Sequence, residues 1–151
     1  MALENVVGLS IATRADALPD DVVSYLAELS ERTYLTVELG LQSVFDKTGK
    51  IINRCHTYAE FLEGYQKLTE KKIPVCVHLI DGLPGETEEM MVQSAYQVGQ
   101  LRPHCIKIHL LHILKGTPIE KMYESGGLKL LERDEYVNII IKPVSYTHLS
   151  L

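Results

Sequence analysis

The chain predicts a parallel α/β fold, on three observations. Strand-like runs recur at intervals of roughly 30 to 40 residues. Amphipathic helical stretches fill the gaps between them. The third run, Ile73 to Ile80, is apolar at nearly every position, as a strand covered on both faces is. A chain of 151 residues has room for a core of its own, but a complete (β/α)₈ barrel needs about 250.

Taken in order, Val6 to Ala12 reads as a short strand with Thr13-Arg14-Ala15-Asp16 as its polar C-terminal loop. Leu18-Pro19-Asp20-Asp21 opens a helix with proline and acids in its first turn, which suits the helix dipole. Val22, Val23, Leu26 and Leu29 then recur at helical spacing up to about Ser30. Leu35, Val37, Leu39 and Leu41 alternate with Thr36, Glu38, Gly40 and Gln42, a second strand with one apolar face. A helical segment from about Val44 to Arg54 follows. Thr57 with Glu60 reads as a capping box, and Phe61, Leu62, Tyr65 and Leu68 form the apolar face of the helix it starts. The third strand ends in the tight loop Asp81 to Thr87, and Thr87 caps a helix that runs to about Leu101. Cys105 to Ile113 is a fourth strand, followed by a short helix around Ile119 to Ser125 and a last helix over Glu132 to Ile141.

Parallel strands with right-handed crossovers bring every C-terminal loop to one rim. Thr13, Arg14, Gln42, Asp81 and His112 are expected there. Gln42 offers an amide donor and acceptor, and Arg54 a guanidinium fork. Equally, Gln42 can simply end its strand and Arg54 can be a surface cation complementing a helix C-terminus. Lys107 and His109 share one strand face and read as lining a cavity, whereas His109 and His112 point to opposite sides.

Several classes are excluded. A net charge of −5 gives no indication of nucleic acid or of an anionic membrane as a partner. No apolar run reaches the ~18 residues of a membrane span, and Met1 to Ser10 lacks the pattern of a secretion signal. Cys55, Cys76 and Cys105 lie far apart, without the close spacing of a metal site, and read as reduced cytoplasmic thiols.

The runs ELGLQS, INRCH, HLIDGLPGET and IKIHLLHILKGTP, in that order, resemble the later two thirds of a radical S-adenosylmethionine (SAM) enzyme core. SIATRAD followed by LPDDVVSYLAEL makes the chain similar to an uncharacterised bacterial group that itself resembles oxygen-independent coproporphyrinogen dehydrogenase and the Elongator catalytic subunit. The resemblance implies a partial (β/α)₆ TIM-like barrel of parallel strands, here truncated at both ends, with SAM and a [4Fe–4S] cluster at the strand C-termini. Gln42 matches the position that bonds the ribose or methionine part of SAM, and Arg54 the arginine that holds its carboxylate. Glu38 shares the strand face of Gln42 and points toward the same cavity, and Gly82 lies in the loop that packs near adenine. His78 stands where such enzymes often carry an aspartate facing SAM, a departure from the pattern, as are Ala12 and Ala15.

The resemblance also implies what this chain lacks. The Cys-x₃-Cys-x₂-Cys loop that binds the cluster is absent, as is the glycine-rich segment for the SAM amino group. Residues 1–141 are therefore expected to be the middle and C-terminal part of the core, inactive alone, and residues 142–151 a tail of foreign or frameshifted sequence. The implied full-length enzyme cleaves SAM reductively to a 5′-deoxyadenosyl radical acting on an unknown substrate, with a reductant such as flavodoxin or ferredoxin as partner. An ordinary barrel lyase or hydrolase using Asp81, His78 and His109, or a non-catalytic partner-binding module, are the alternatives.

Overall fold

The computed structural model describes residues 5–147. Its strands are β1 (Gly8–Thr13), β2 (Tyr34–Gln42), β3 (Val75–Asp81) and β4 (Cys105–Leu110), in one parallel sheet of order β1-β2-β3-β4. Between and after them come α1 (Asp20–Ser30), α2 (Asp46–Ile51), α3 (Tyr58–Glu70), α4 (Glu88–Gln100), α5 (Pro118–Glu124) and α6 (Arg133–Thr147). A 3₁₀ turn at Ala15–Ala17 links β1 to α1. This is the expected parallel α/β architecture, and all four strand C-termini lie along one rim.

The period-two pattern of β2 divides the sheet into two faces. Leu35, Val37, Leu39 and Leu41 are buried, and register places Val37 beside Val75 and Leu39 beside Val77. On that side Val23 and Leu26 of α1, Phe61, Tyr65 and Leu68 of α3, and Ala95 and Val98 of α4 close the main core. Each large side chain so buried contributes about 2 kcal/mol. The opposite, inner face carries Glu38, Gly40, Cys76, His78, Lys107 and His109. A second apolar cluster, Leu83, Leu111 and Leu128 with Ile52, Ile80 and Ile119 against it, lies at the rim.

Local signals explain most element boundaries. Thr57 and Glu60 form the reciprocal capping box of α3, with Thr57 N–H donating to Glu60 Oε2 at 2.6 Å. Thr87 caps α4 and Thr117 caps α5 through their hydroxyl oxygens. Several details differ from the sequence expectation. Val6 and Val7 stay outside β1 and exposed, because pairing begins only where Gly8 meets Tyr34 at the start of β2. Val22 is 37% exposed, and Val23 takes the core position instead. The helix expected over Val44 to Arg54 shrinks to α2, because Asn53 and Cys55 take the left-handed region at φ 54° and 68°. β4 ends at Leu110 rather than Ile113.

At the other end, α6 does not stop at Ile141 but passes through Pro143 to Thr147. An interior proline lacks a donor and crowds the carbonyl four residues back. Here Pro143 is buried, and Lys142 pairs with Glu88 at the start of α4. Packing on α4 holds the last helix together past its weak point. Of the tail expected at 142–151, residues 148–151 lie outside the described residues.

Thr57→Ala removes one half of the capping box while leaving the core untouched. It is expected to lower stability by about 1 kcal/mol, read as a lower urea midpoint at unchanged slope. An unmoved midpoint would show that α3 is held by packing alone.

Candidate functional site

The carboxyl end of β2 is built around a bulge. Pairing with β3 slips between Gly40 and Gln42, and Gln42 adopts φ 64°, uncommon for a residue with a side chain. Ser43 N–H then bonds back to Leu41 O at 2.8 Å. A Cβ on Gly40 would stand 2.6 Å from Gln42 Nε2. Glycine at 40 is thus what lets the Gln42 amide lie back over the sheet at the rim.

Arg54 secures this end from the other side. Its guanidinium is almost fully covered, with a side-chain exposure of 2%. Nε donates to His56 O at 2.8 Å, Nη1 to Leu41 O at 3.1 Å and Ser43 O at 2.5 Å, and Nη2 to Asp46 Oδ1 at 2.8 Å. The same Asp46 oxygen accepts Tyr58 N–H at 2.7 Å, so α2, the β2 terminus and the start of α3 meet at one ion pair. Gly49 makes room for the planar group, since a Cβ there would come within 2.9 Å of Cζ. Arg54 is therefore a buried cation and not a surface cation at a helix C-terminus. Of its five N–H groups, these four bonds leave one Nη2 hydrogen for a ligand.

His56, which the sequence singled out only as part of INRCH, is the most unusual group at the rim. Its side chain is completely covered, its Nδ1 lies 3.3 Å from Arg54 O, and Nε2 has no hydrogen-bond partner among the described residues. Burial and then the Arg54 charge lower its pKa, favouring the neutral ring. A carbonyl can only accept, so the ring proton sits on Nδ1 and Nε2 carries a free lone pair. A cleft of about 360 Å³ opens here, lined by Arg14, Gln42, Arg54, His56, Ile80 and Leu83 among others.

Glu38 and His78 lie further from the rim, on the inner face of the sheet. With the bulge between them, Glu38 and Gln42 are three residues apart in β3 register, about 10 Å, and neither Glu38 nor His78 lines the cleft. Glu38 accepts Lys107 Nζ at 2.8 Å on both oxygens, Ser10 Oγ at 2.6 Å, and lies 2.6 Å from His78 Nε2. Lys107, then Ser10 and His78, hold its carboxyl down at about 2. His109 Nε2 sits 3.0 Å from His78 Nδ1, with the two rings stacked at 5.0 Å. The expected cavity role of Lys107 and His109 becomes a closed polar row across all four strands.

At the end of β3, burial and the nearby Glu86 raise Asp81 to about 6. Glu86 is itself raised by burial, and it accepts the Ser43 hydroxyl. Gly82 and Gly85 turn the chain at φ 86° and 79°. Gly82 N–H points to Met91 Sδ at 3.1 Å, and it is Leu83 that reaches the cleft.

A parallel four-stranded sheet with a cleft at its strand C-termini, held by a bulged strand end and a buried arginine, defines an α/β scaffold of the partial-barrel kind. Residues 2–95 match the Radical SAM superfamily, and residues 103–149 match its Radical_SAM C-terminal domain. The chain belongs to the radical SAM superfamily. It is 56% identical over 140 residues to the uncharacterized protein YtqA of Bacillus subtilis, covering 93% of this chain and 44% of YtqA. Among solved structures it is similar to the archaeal Elp3 of Methanocaldococcus infernus, with TM-score 0.82, 26% identity, and coverage of 92% of this chain and 33% of that one. The coproporphyrinogen III oxidase HemN of Escherichia coli shares the fold at TM-score 0.69 and 17% identity, over 92% of this chain and 31% of HemN. The chain thus spans less than half the length of these relatives.

The residues present fit the two implied cofactors differently. For SAM the rim offers the Gln42 amide, the unfilled His56 acceptor and an apolar wall of Ile80, Leu83, Leu111 and Ile119. For an iron–sulfur cluster they do not fit. Cys55 is exposed, Cys76 buried and Cys105 half-buried, and no three thiols converge among the described residues. No helix among the described residues is long and apolar enough to cross a membrane.

Two outcomes follow. Arg54→Ala strips a charged partner from three main-chain carbonyls and from Asp46. The expected loss is on the order of 3 kcal/mol in chemical denaturation, and a loss below half of that would show that water replaces the guanidinium. In the folded chain Asp81 is raised to about 6 from its ordinary 3.8. The native state therefore holds its proton longer than the unfolded chain, and this group makes stability fall as pH rises from about 4 to 6. Asp81→Asn should flatten that slope and gain roughly 3 kcal/mol on wild type above pH ~6; parallel pH–stability curves would refute the assignment.

Proposed function

We propose that this chain forms the SAM-binding rim of a radical SAM enzyme whose full-length form cleaves SAM reductively at a [4Fe–4S] cluster bound elsewhere in that protein. The observation that carries the proposal is the rim cleft, lined by Gln42, Arg54 and His56, in which the buried His56 imidazole keeps an Nε2 without a partner among the described residues. Bound there, SAM supplies the hydrogen-abstracting radical, and this chain supplies binding, orientation and exclusion of water. Gln42, fixed by the bulge and by Gly40, offers a pre-placed donor and acceptor to the ribose or methionine part of the ligand. His56 Nε2 accepts a ligand N–H or O–H.

Arg54 acts chiefly by holding the strand end in place. Its charge and its one remaining N–H favour an anionic group such as a carboxylate. Gly82 shapes the turn that brings Leu83 to the cleft, against which a planar base would pack. Glu38 and His78 face the barrel interior from the inner sheet face, where in this reading they meet the part of SAM that reaches past the rim. The substrate remains outside what these residues specify.

The test uses the full-length parent protein, expressed and purified anaerobically, with electron paramagnetic resonance recorded with and without SAM. A reduced cluster signal that shifts on SAM addition is expected. Gln42→Ala should need about tenfold more SAM for the same shift, the cost of one hydrogen bond, at equal iron content. A parent protein carrying its upstream segment but no cluster would sink the reading.

A further inference from the structure

The polar row on the inner face ends in one unused atom. Glu38 is held ionised, so its oxygens can only accept, and Lys107 Nζ and Ser10 Oγ donate to them. His78 Nε2, 2.6 Å from Glu38 Oε2, therefore carries a proton. A neutral His78 then keeps only a lone pair at Nδ1, and His109 Nε2, 3.0 Å away, donates to it. By the same count the neutral His109 ring has a lone pair at Nδ1, and that nitrogen has no partner among the described residues.

We propose that His109 is a substrate-contacting residue of the parent enzyme, its Nδ1 accepting a hydrogen bond from an uncharged N–H or O–H group of the substrate. This rests on the radical SAM reading above and adds the chemistry of what that site takes beside SAM.

Position supports the assignment. His109 is the register partner of Ile80, which lines the rim cleft, and it stands two residues closer to the rim than Lys107 on the same strand face. Its ring stacks on that of His78 with centroids 5.0 Å apart, and the residue is exposed. A ligand that reaches from the cleft past Ile80 into the barrel comes to His109 before it comes to Lys107.

The neighbours decide what kind of group fits. Burial, followed by His78 and Lys107, lowers the His109 pKa, so the ring stays a neutral acceptor. Lys107 Nζ is committed to both oxygens of Glu38. An anionic group would meet a lone pair at His109 rather than a donor, and a cationic group would stand beside the Lys107 ammonium. A hydroxyl or an amide N–H suits the position. Toward the substrate, Glu38 and His78 act as positioning residues, since they set which His109 nitrogen bears the proton.

The test has two arms. In the full 151-residue chain, with histidine labelled by ¹⁵N, long-range ¹H–¹⁵N NMR reads both ring nitrogens, and His109 is assigned by its loss in His109→Asn. At neutral pH His109 is expected to be protonated at Nε2 alone. Glu38→Gln, whose amide can donate or accept, should give a mixture of tautomers. A proton on His109 Nδ1 in wild type, or a tautomer unmoved by Glu38→Gln, overturns the assignment. The second arm uses the full-length parent, anaerobic, with SAM and dithionite, and offers glycerol or succinate deuterated on carbon as probes. Deuterium is expected in the 5′-deoxyadenosine formed, about tenfold more from glycerol than from succinate, and His109→Phe should lower transfer from glycerol by about tenfold, the cost of one hydrogen bond. His109→Asn, whose amide oxygen can stand in for Nδ1, should restore part of it. His104→Ala, just before β4 at the far end of the sheet, is the control expected to match wild type. Equal transfer from both probes, no transfer from glycerol, undiminished transfer in His109→Phe, or a tenfold higher SAM requirement in that variant overturns the inference. A parent that forms no 5′-deoxyadenosine sinks the radical SAM reading and this inference with it, whereas the other results strike His109 alone.

Discussion

The buried guanidinium of Arg54 is the interaction on which the rim depends. A cation withdrawn from water must be met on all sides. Here Asp46 and the carbonyls of Leu41, Ser43 and His56 meet it. Those four partners belong to three consecutive pieces of chain: the end of β2, the start of α2 and the approach to α3. Holding them together forces left-handed turns at Asn53 and Cys55 on either side of the arginine, and it needs a glycine at 49 to leave the space. The positions of Gln42 and His56 are therefore consequences of one buried charge. Charge-assisted bonds to fixed carbonyls also resist thermal motion, which suits a site that must present a ligand in one orientation.

The sheet shows a second constraint, imposed by its two unlike faces. The face toward α1, α3 and α4 is apolar and tightly covered, so it fixes register: a slip of one residue would turn Leu35, Val37, Leu39 and Leu41 out of the core. Once that register is fixed, the inner face has no freedom left. Glu38 must stand beside Cys76, and His78 beside Lys107. The polar row on the inside is stable because its members satisfy one another, with Lys107 and Ser10 keeping Glu38 ionised far below the usual carboxylate range. Hydrophobic periodicity on one side thus dictates the chemistry available on the other.

This explains which features were legible in the sequence. Parallel order, the helix caps at Thr57 and Thr87, and the apolar faces are all local patterns, and they appear in the structure where periodicity and capping chemistry place them. The Gln42 bulge was not legible, because its cause is a contact between a glycine and a side chain two residues away under the pull of Arg54, twelve residues on. The shortening of α2 has the same origin. His56 was passed over because burial decides its importance, and nothing in INRCH announces burial. The pairing of Glu38 with His78 and Lys107 requires knowing the relative stagger of three strands, and single-strand alternation carries no stagger. The passage of α6 through Pro143 depends on packing against α4, a tertiary gain that outweighs a local rule.

The electrostatics of the rim bear on what it can hold. Around one cleft stand a neutral imidazole with a free acceptor, and a buried cation whose hydrogens are nearly all committed. Close behind the Gln42 end lie two carboxyls, Asp81 and Glu86, both pushed upward by burial, with Glu86 tied to Ser43 at the strand end. A purely anionic ligand would find one unspent N–H and two carboxyls that resist a further negative neighbour. A purely cationic ligand would face Arg14 and Arg54. The cleft thus carries cationic side chains on its lining, while the two buried carboxyls lie outside it.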